Sequence, residues 1–519
     1  MQKLKKAAGI KNEDGNFTLG DLRCDKDTKK QYTKNIKPFE RMGKHKILLA
    51  VLYVLILGFH VVHCANILIY GMHAAGSHTQ NIAYVGEALI RHGHSVDVLT
   101  VSSDKFIHLY TELGVPTLEP VIINYENEDI LPHFFDNKLT YGEAFEKMVG
   151  TNAAQCDAVL QHKKHLRDTL KPYDIAVTDA VCHCCAMLLK YIGIPYVLLH
   201  TMKDVGYATD VTAPLSYYPI EETTMMLTNK MTFTDRLQNT LASLLLPSYK
   251  DINMAFLRLY HKHNITPGIY SFQQASLHLL VKDFTIDYVH PLIPNVVPIG
   301  LLTTRPANGL PSELEEFMHS SGNEGVIVVS LGTLDQLLQV FSDNIKIVKW
   351  VNQNDILGHP KTRLFLTHGG TSSYREAIYH GVPMVCIPLM FDQYDTAAKI
   401  ISKGVGSYVK MKSLNNENLY EAMVEVLSNK KYSEKAKQLS AIVKDVPMNA
   451  TDTAVFWIEH VLQHGVTHLT FHEKQLSVIE YYLLDVLTVI AGTICIIFWS
   501  LRWFVVVLKR SVTNTTKYK

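Results

Sequence analysis

The sequence predicts an α/β protein of two open, parallel-sheet domains that ends in one membrane-crossing helix. Three observations carry this. In the first half, strand-like and helix-like segments alternate in βαβ order. In the second half, an apolar strand from Arg363 to Thr367 runs into His368-Gly369-Gly370 and then into a helix beginning near Thr371. Near the C-terminus, Val486 to Leu508 is long and apolar enough to cross a bilayer.

In the first half, Asn66–Tyr70 reads as a short strand and Gly71–His78 as a loop. Gln80–Arg91 has helical spacing through Ile82, Val85, Ala88 and Leu89, with Gly93 as its stop signal, and Val96–Thr100 is the next strand. A second unit follows. Tyr173–Thr178 is a strand with Asp179 just past its end, Cys185–Ile192 is a helix stopped by Gly193, and Pro195–Leu199 is a strand. Open parallel sheets bind ligands at the carboxyl ends of their strands, so His78 and Asp179 fall on one ligand edge. A histidine oriented by a carboxylate is suited to general-base work. Taken singly, each has a plainer reading: a solvent-facing loop histidine and a helix-capping aspartate. The first βα loop, Gly71-Met72-His73-Ala74-Ala75-Gly76, lacks the GxGxxG spacing of a dinucleotide site.

The second half carries the sharper signal. A glycine turn that ends a parallel strand and opens a helix presents unpaired N–H groups and a positive helix end to an anion. His368 adds a side-chain donor there. Glu376, about one turn in, suits the two hydroxyls of a ribose, and Trp350 offers a flat face to a base. Asp392 and Gln393 lie on the next strand-to-helix loop and suit sugar hydroxyls.

The run from Trp350 to Gln393 resembles, in order and spacing, the donor-binding signature of the UDP-glycosyltransferases of the glucuronosyltransferase-like type. That signature has a Trp-x-Pro-Gln start, here ending in Gln353, a Thr-His-Gly-Gly-Thr-Asn middle and an Asp-Gln end. Asn352 stands where the family has proline, and Ser372 where it has asparagine. Ser372 suits a helix N-cap. Gly76-Ser77-His78 resembles the family segment that carries the catalytic base, and Val177-Thr178-Asp179 the segment of its partner carboxylate. Ser330-Leu331-Gly332-Thr333 resembles the turn beside the diphosphate.

The resemblance implies two Rossmann-like domains of GT-B type facing across a cleft. It implies transfer of a glucuronosyl or glucosyl group from a UDP-sugar to a hydroxyl of a small lipophilic acceptor, with inversion and without a metal. His78 and Asp179 would be catalytic. Ser330, Gly332, Thr333, Trp350, Gln353, His368, Gly369, Gly370, Ser372, Glu376, Asp392 and Gln393 would bind the donor. No cofactor is implied beyond the UDP-sugar as co-substrate. The expected partners are that donor, the acceptor, the membrane and a homo- or hetero-oligomer. The Met-rich stretch 204–250, with Met225, Met226 and Met231, suits either varied hydrophobic acceptors or helix packing.

One piece of the family pattern is missing after Thr333. A family helix and strand are replaced by Leu334–Val348, in which Leu334–Phe341 could form two helical turns and Ile345–Val348 a strand. The loss should expose apolar surface. It reads either as an incomplete gene model or as an isoform. The alternative function is therefore a catalytically impaired membrane protein that binds ligands or partner transferases.

Composition sets the remaining bounds. The chain has 519 residues, enough for two domains, and its 50 basic and 49 acidic residues leave no nucleic-acid footprint. Eight scattered cysteines suggest no disulfide framework, and Cys182, Cys184 and Cys185 around His183 read as buried thiols or a metal cluster. Ile47–Val62 after Lys44 and Lys46 has the form of a signal peptide starting at Met42, with a retained anchor as the rival. Arg502 would snorkel, and Lys509 and Arg510 put the tail in the cytosol. The sequons at Asn264 and Asn449 would then face the lumen.

The expected organisation is an extension over 1–41, a signal peptide over 42–64 and an acceptor domain over 65–295. A donor domain over 296–470, a juxtamembrane segment over 471–485, a membrane helix over 486–508 and a tail over 509–519 follow. The segments suggest a single-pass type I protein with luminal domains, and the resemblance implies the endoplasmic reticulum membrane as its location.

Overall fold

The computed structural model describes residues 64–71, 76–101, 106–122, 141–201, 225–245, 248–265, 275–331, 344–348, 350–389, 392–470, 479 and 483–516. The expected signal peptide up to residue 63, and Leu334–Phe341, lie outside them. The chain divides into two compact units, one ending at Gly465 and one starting at Val466.

The first unit opens with β1 (Asn66–Tyr70), α1 (Gly76–Arg91) and β2 (Ser95–Leu99). Then come α2 (His108–Glu112), α3 (Tyr141–Gln161), α4 (Lys163–Leu170), β3 (Ile175–Asp179), α5 (His183–Ile192) and β4 (Tyr196–His200). After α6 (Phe233–Leu245) and α7 (Ser248–Lys262), β5 (Leu277–Leu280) and β6 (Val296–Pro298) complete a parallel sheet of order β2-β1-β3-β4-β5-β6. Strands β3, β4 and β5 are buried at every residue. Helices on both faces explain why they read as continuous apolar runs rather than alternating ones. Because β6 pairs with β5, this sheet runs three residues past the boundary expected at 295.

The same unit continues with α8 (Ser312–Ser320), β7 (Val326–Ser330), α9 (Gln353–Leu357), β8 (Thr362–Thr367), α10 (Thr371–His380), β9 (Met384–Cys386), α11 (Gln393–Lys403) and β10 (Gly406–Tyr408). These strands form a second parallel sheet, β10-β9-β8-β7. Helices α12 (Asn416–Ser428), α13 (Lys430–Lys444) and α14 (Ala450–His464) follow. Helix α14 returns to the first sheet's lobe, where Asp452 meets Arg91 at 3.1 Å and Glu459 meets His94 at 3.0 Å. Met226, half-buried, packs on the core of the second lobe, which favours the packing reading for that methionine.

Strand β7 lies at the sheet edge. Ile327 and Val329 on it are 39% and 53% exposed, as the missing crossover leads one to expect. Ile345–Val348 is not a strand: it makes no ladder, and Ile345, Ile347 and Val348 are exposed. Strand propensity in three β-branched residues of four does not make a strand where no ladder forms.

The cysteine reading is also corrected. Cys156 of α3 is bonded to Cys184, and Cys182 to Cys185. Spacing in the sequence could not show that α3 packs against the start of α5.

The second unit contains α15 (Leu484–Thr516), of which Leu484–Lys509 is long and apolar enough to cross a membrane. Arg502 lies over the ring of Trp499, 5.6 Å from its centroid.

Candidate functional site

His78 sits in the first turn of α1, not in a loop, and is buried. Asp179 is the last residue of β3, fully buried, rather than a residue beyond the strand. The parallel register of β1 with β3 puts the end of β3 beside the start of α1. There His78 Nδ1 lies 2.7 Å from Asp179 Oδ2. The other carboxylate oxygen accepts from the Val181 N–H at 2.8 Å, which fixes the carboxylate plane. With Nδ1–H directed at the carboxylate, Nε2 is left with the lone pair needed to take a proton.

Thr201, just past β4, was not foreseen from the sequence. Its Oγ1 lies 2.7 Å from His78 Nδ1 and donates to Asp179 Oδ2 at 3.4 Å. The one available signal was its place at the carboxyl end of the next strand.

In the second lobe the glycine turn has the expected form. Gly369 has φ of +86°, and a Cβ there would lie 2.6 Å from Cys386 Sγ, so only glycine fits. A Cβ on Gly370 would lie 2.7 Å from His368 Nε2. Gly370, not Ser372, is the N-cap of α10. Ser372 lies within the first turn, because the turn delivers the chain to helical angles two residues sooner. Gly370 has no side chain with which to cap this helix start, so the turn itself leaves the first backbone N–H groups of α10 without a side-chain cap.

His368 is half-buried. Burial lowers the affinity of its ring for a second proton, against opposing effects of the Ser330 carbonyl and the Asp392 charge. Ser330 pairs in register with Thr367, so the ends of β7 and β8 are neighbours. Gly332 and Thr333 lie outside the described residues.

Behind the turn, Gln353 at the start of α9 donates to Glu376 Oε2 at 2.6 Å and to Ser373 Oγ at 3.1 Å. Asn352 caps α9 through its side chain, which accepts from the Asp355 N–H. Proline at that position would have no such cap to offer. Glu376 is buried, and desolvation pushes its carboxyl up to about 7 despite the hydrogen bond from Gln353. Asp392 accepts from Thr371 Oγ1 at 2.5 Å, and Gln393 Oε1 accepts from the Leu389 N–H at 2.8 Å. Trp350 is 76% exposed.

The two groups meet. Arg375, one residue before Glu376 on α10, donates from Nη1 to the Thr201 carbonyl at 3.0 Å. The His78–Asp179–Thr201 cluster is thus joined directly to the helix that the glycine turn opens.

Away from this site, Glu315, His319 and His359 place possible ligand atoms within 4.8 Å of one another. His359 Nδ1 accepts from the Lys361 N–H, so the neutral ring carries its proton on Nε2, which points at Glu315. That is a hydrogen bond to the carboxylate rather than a set of lone pairs aimed at a cation.

Comparison with known proteins agrees with this architecture. A family model described as "UDP-glucoronosyl and UDP-glucosyl transferase" matches residues 65–339 and 335–518, two pieces that meet just after Thr333. UDP-glucuronosyltransferase 2A3 of Cavia porcellus is 31% identical over 504 residues, covering 86% of this chain and 93% of the relative. The 2-hydroxyacylsphingosine 1-beta-galactosyltransferase of Homo sapiens is 30% identical, covering 74% and 76%. Among solved structures, the glycosyltransferase of kitacinnamycin superposes with a TM-score of 0.54 at 16% identity, covering 76% of this chain and 99% of the other. Glycosyltransferase VinC, in complex with DTDP, does so with a TM-score of 0.51 at 15% identity, covering 77% and 100%.

Proposed function

Since the chain belongs to the UDP-glucuronosyl and UDP-glucosyl transferase family, and is a glycosyltransferase using a UDP-sugar, we propose that it moves a hexosyl group onto a hydroxyl of a small lipophilic acceptor with inversion. His78 Nε2 takes the acceptor's proton while Asp179 holds the ring and stabilises its charged form. The freed oxygen attacks the anomeric carbon, and the bond to the diphosphate breaks. Gly369, Gly370, Ser372 and His368, with the positive end of α10, steady the departing UDP, so no metal is required. Ser330, Gly332 and Thr333 flank the diphosphate, Glu376 and Gln353 face the ribose, Trp350 the base, and Asp392 and Gln393 the sugar. The reading is carried by one observation: Arg375 joins the His78–Asp179 couple to the helix that begins at the glycine turn.

The same reading makes the protein a type I membrane protein of the endoplasmic reticulum with its sheets in the lumen. It is supported by α15, by Lys509 and Arg510 at the end of its apolar stretch, and by the two disulfides, which suit an oxidising compartment.

A second reading, a chain with a weakened donor site that binds ligands or partner transferases, is favoured by the exposure of Trp350 and of β7. Calorimetry with UDP on the detergent-solubilised full chain separates the two. In parallel, His78→Ala should lower transfer from UDP-glucuronate, UDP-glucose or UDP-galactose by about 10²- to 10⁴-fold while UDP still binds. Undiminished transfer in that variant would remove the base assignment.

A further inference from the structure

We infer that Arg375 is a positioning residue that sets the catalytic couple from the donor side, acting through Thr201. The inference rests on the transferase reading above and names a device that reading does not contain. Arg375 is 2% exposed and belongs to α10, whose first turn closes the glycine turn and whose next residue is Glu376. On a helix, neighbouring residues point about 100° apart. Glu376 therefore meets Gln353 within its own lobe, while Arg375 reaches the other lobe and donates to the Thr201 carbonyl at 3.0 Å. The hydroxyl of that same Thr201 lies 2.7 Å from His78 Nδ1 and donates to Asp179 Oδ2.

The consequences follow from the bonds. His78 has one Nδ1 proton, shared between the carboxylate and the threonine lone pair, and the threonine hydrogen goes to the carboxylate. Thr201 thus closes a three-membered cluster that holds the imidazole in the tautomer with Nε2 facing the acceptor. Thr201 lies one residue past the last ladder pair of β4, His200 with Leu280, so strand pairing does not itself fix its carbonyl. The guanidinium, bonded to that carbonyl, fixes it. Neighbouring contacts hold α10 and α11 to the same lobe: Tyr374 Oη donates to the Ile286 carbonyl at 3.2 Å, and Lys399 Nζ to Asp287 Oδ1 at 2.7 Å. These fix the helices against the 283–288 segment, and Arg375 carries the registration to the base. A displacement of about 1 Å at a catalytic group is enough to cost on the order of 10²-fold in rate, so one such bond is worth having.

The test uses the detergent-solubilised full chain with a UDP-sugar that supports transfer. Arg375→Gln should lower kcat about tenfold or more, with KM for the donor and calorimetric UDP binding within about twofold of the parent. Arg375→Lys, which keeps one donor toward the carbonyl, should recover part of kcat. Thr201→Val, which keeps the carbonyl and loses the hydroxyl, should lower kcat likewise, and Thr201→Ser, which restores a hydroxyl, should recover most of that loss. In the Thr201→Val background, Arg375→Gln should add little, because both act on one cluster. Additive effects, an unchanged kcat in Arg375→Gln, or loss of UDP binding together with kcat each overturn the inference. The last would mark Arg375 as a prop of the donor site. His78→Ala run alongside keeps the two levels apart. If it retains transfer, the parent reading falls. If it loses transfer while Arg375→Gln keeps kcat, only this inference falls.

Discussion

The two sheets of the large unit are built from the same kind of strand and end up in different environments. Strand β4, YVLLH, is buried at every residue, whereas β7, VIVVS, has Ile327 and Val329 in solvent. Nothing in the local composition separates them, since both are short, β-branched or apolar, and flanked by turns. The difference lies in the connections. In the first sheet, α5 joins β3 to β4, and α6 and α7 lie between β4 and β5. Between β7 and β8, the described residues hold only α9, five residues long, whose side chains bond to α10 and to the 305–308 segment. Burial of a strand is thus a property of its crossovers rather than of its own residues.

Three measurements sharpen or break that contrast. The largest expected effect comes from the covered sheet. Leu198→Ala, at a fully buried position of β4, should cost about 2–5 kcal/mol in denaturant unfolding of the purified protein. A cost under about 1 kcal/mol would mean that the six-stranded core is as loosely covered as β7.

The second test is pH. Burial holds the Glu376 carboxyl at about 7 in the folded protein against an ordinary value of 4.5. Folding therefore favours its protonated form. Its contribution to stability is complete below about pH 4.5 and is lost as pH rises through about 7, in total roughly 3 kcal/mol at most. Melting midpoints at pH 5 and pH 8 should differ more in the parent than in Glu376→Gln. Ribose hydroxyls donating to an ionised Glu376 would act the opposite way, so a UDP-sugar should bind more tightly at pH 8 than at pH 5 in the parent alone. Identical pH responses of parent and variant would remove Glu376 from this role.

The smallest effect is expected at the open edge. Val329→Ala on β7 should change stability by no more than about 0.5 kcal/mol, since 53% of the residue is already in water. A loss several times larger would show that β7 is covered in solution, by more of this chain or by another.

The sequence read some parts of this site well for a physical reason. His368-Gly369-Gly370 is local chemistry: a strand, a glycine with positive φ and a helix start are contiguous, and the consequences of each residue type are fixed within a few positions. The element types of the βαβ units were legible for the same reason, because apolar spacing reports which face of a segment is buried. Their edges were less so. The helix that holds His78 starts at Gly76 and takes the last three residues of the stretch read as a loop, and Asp179 ends β3 instead of following it. Those shifts matter little to the register, yet they turn an exposed loop histidine into a buried one.

What the sequence by itself determined is the kind of elements, the glycine turn, the apolar C-terminal helix and the shortage of chain after Thr333. The tertiary structure alone decided that Cys156 meets Cys184, that Ser372 yields the cap to Gly370, and that Thr201 joins His78 and Asp179. It alone decided as well that Arg375 reaches the Thr201 carbonyl, 174 positions away along the chain. The reason is range: propensity and periodicity act over a turn or two of backbone, whereas these contacts exist only once parallel strands have set distant segments side by side.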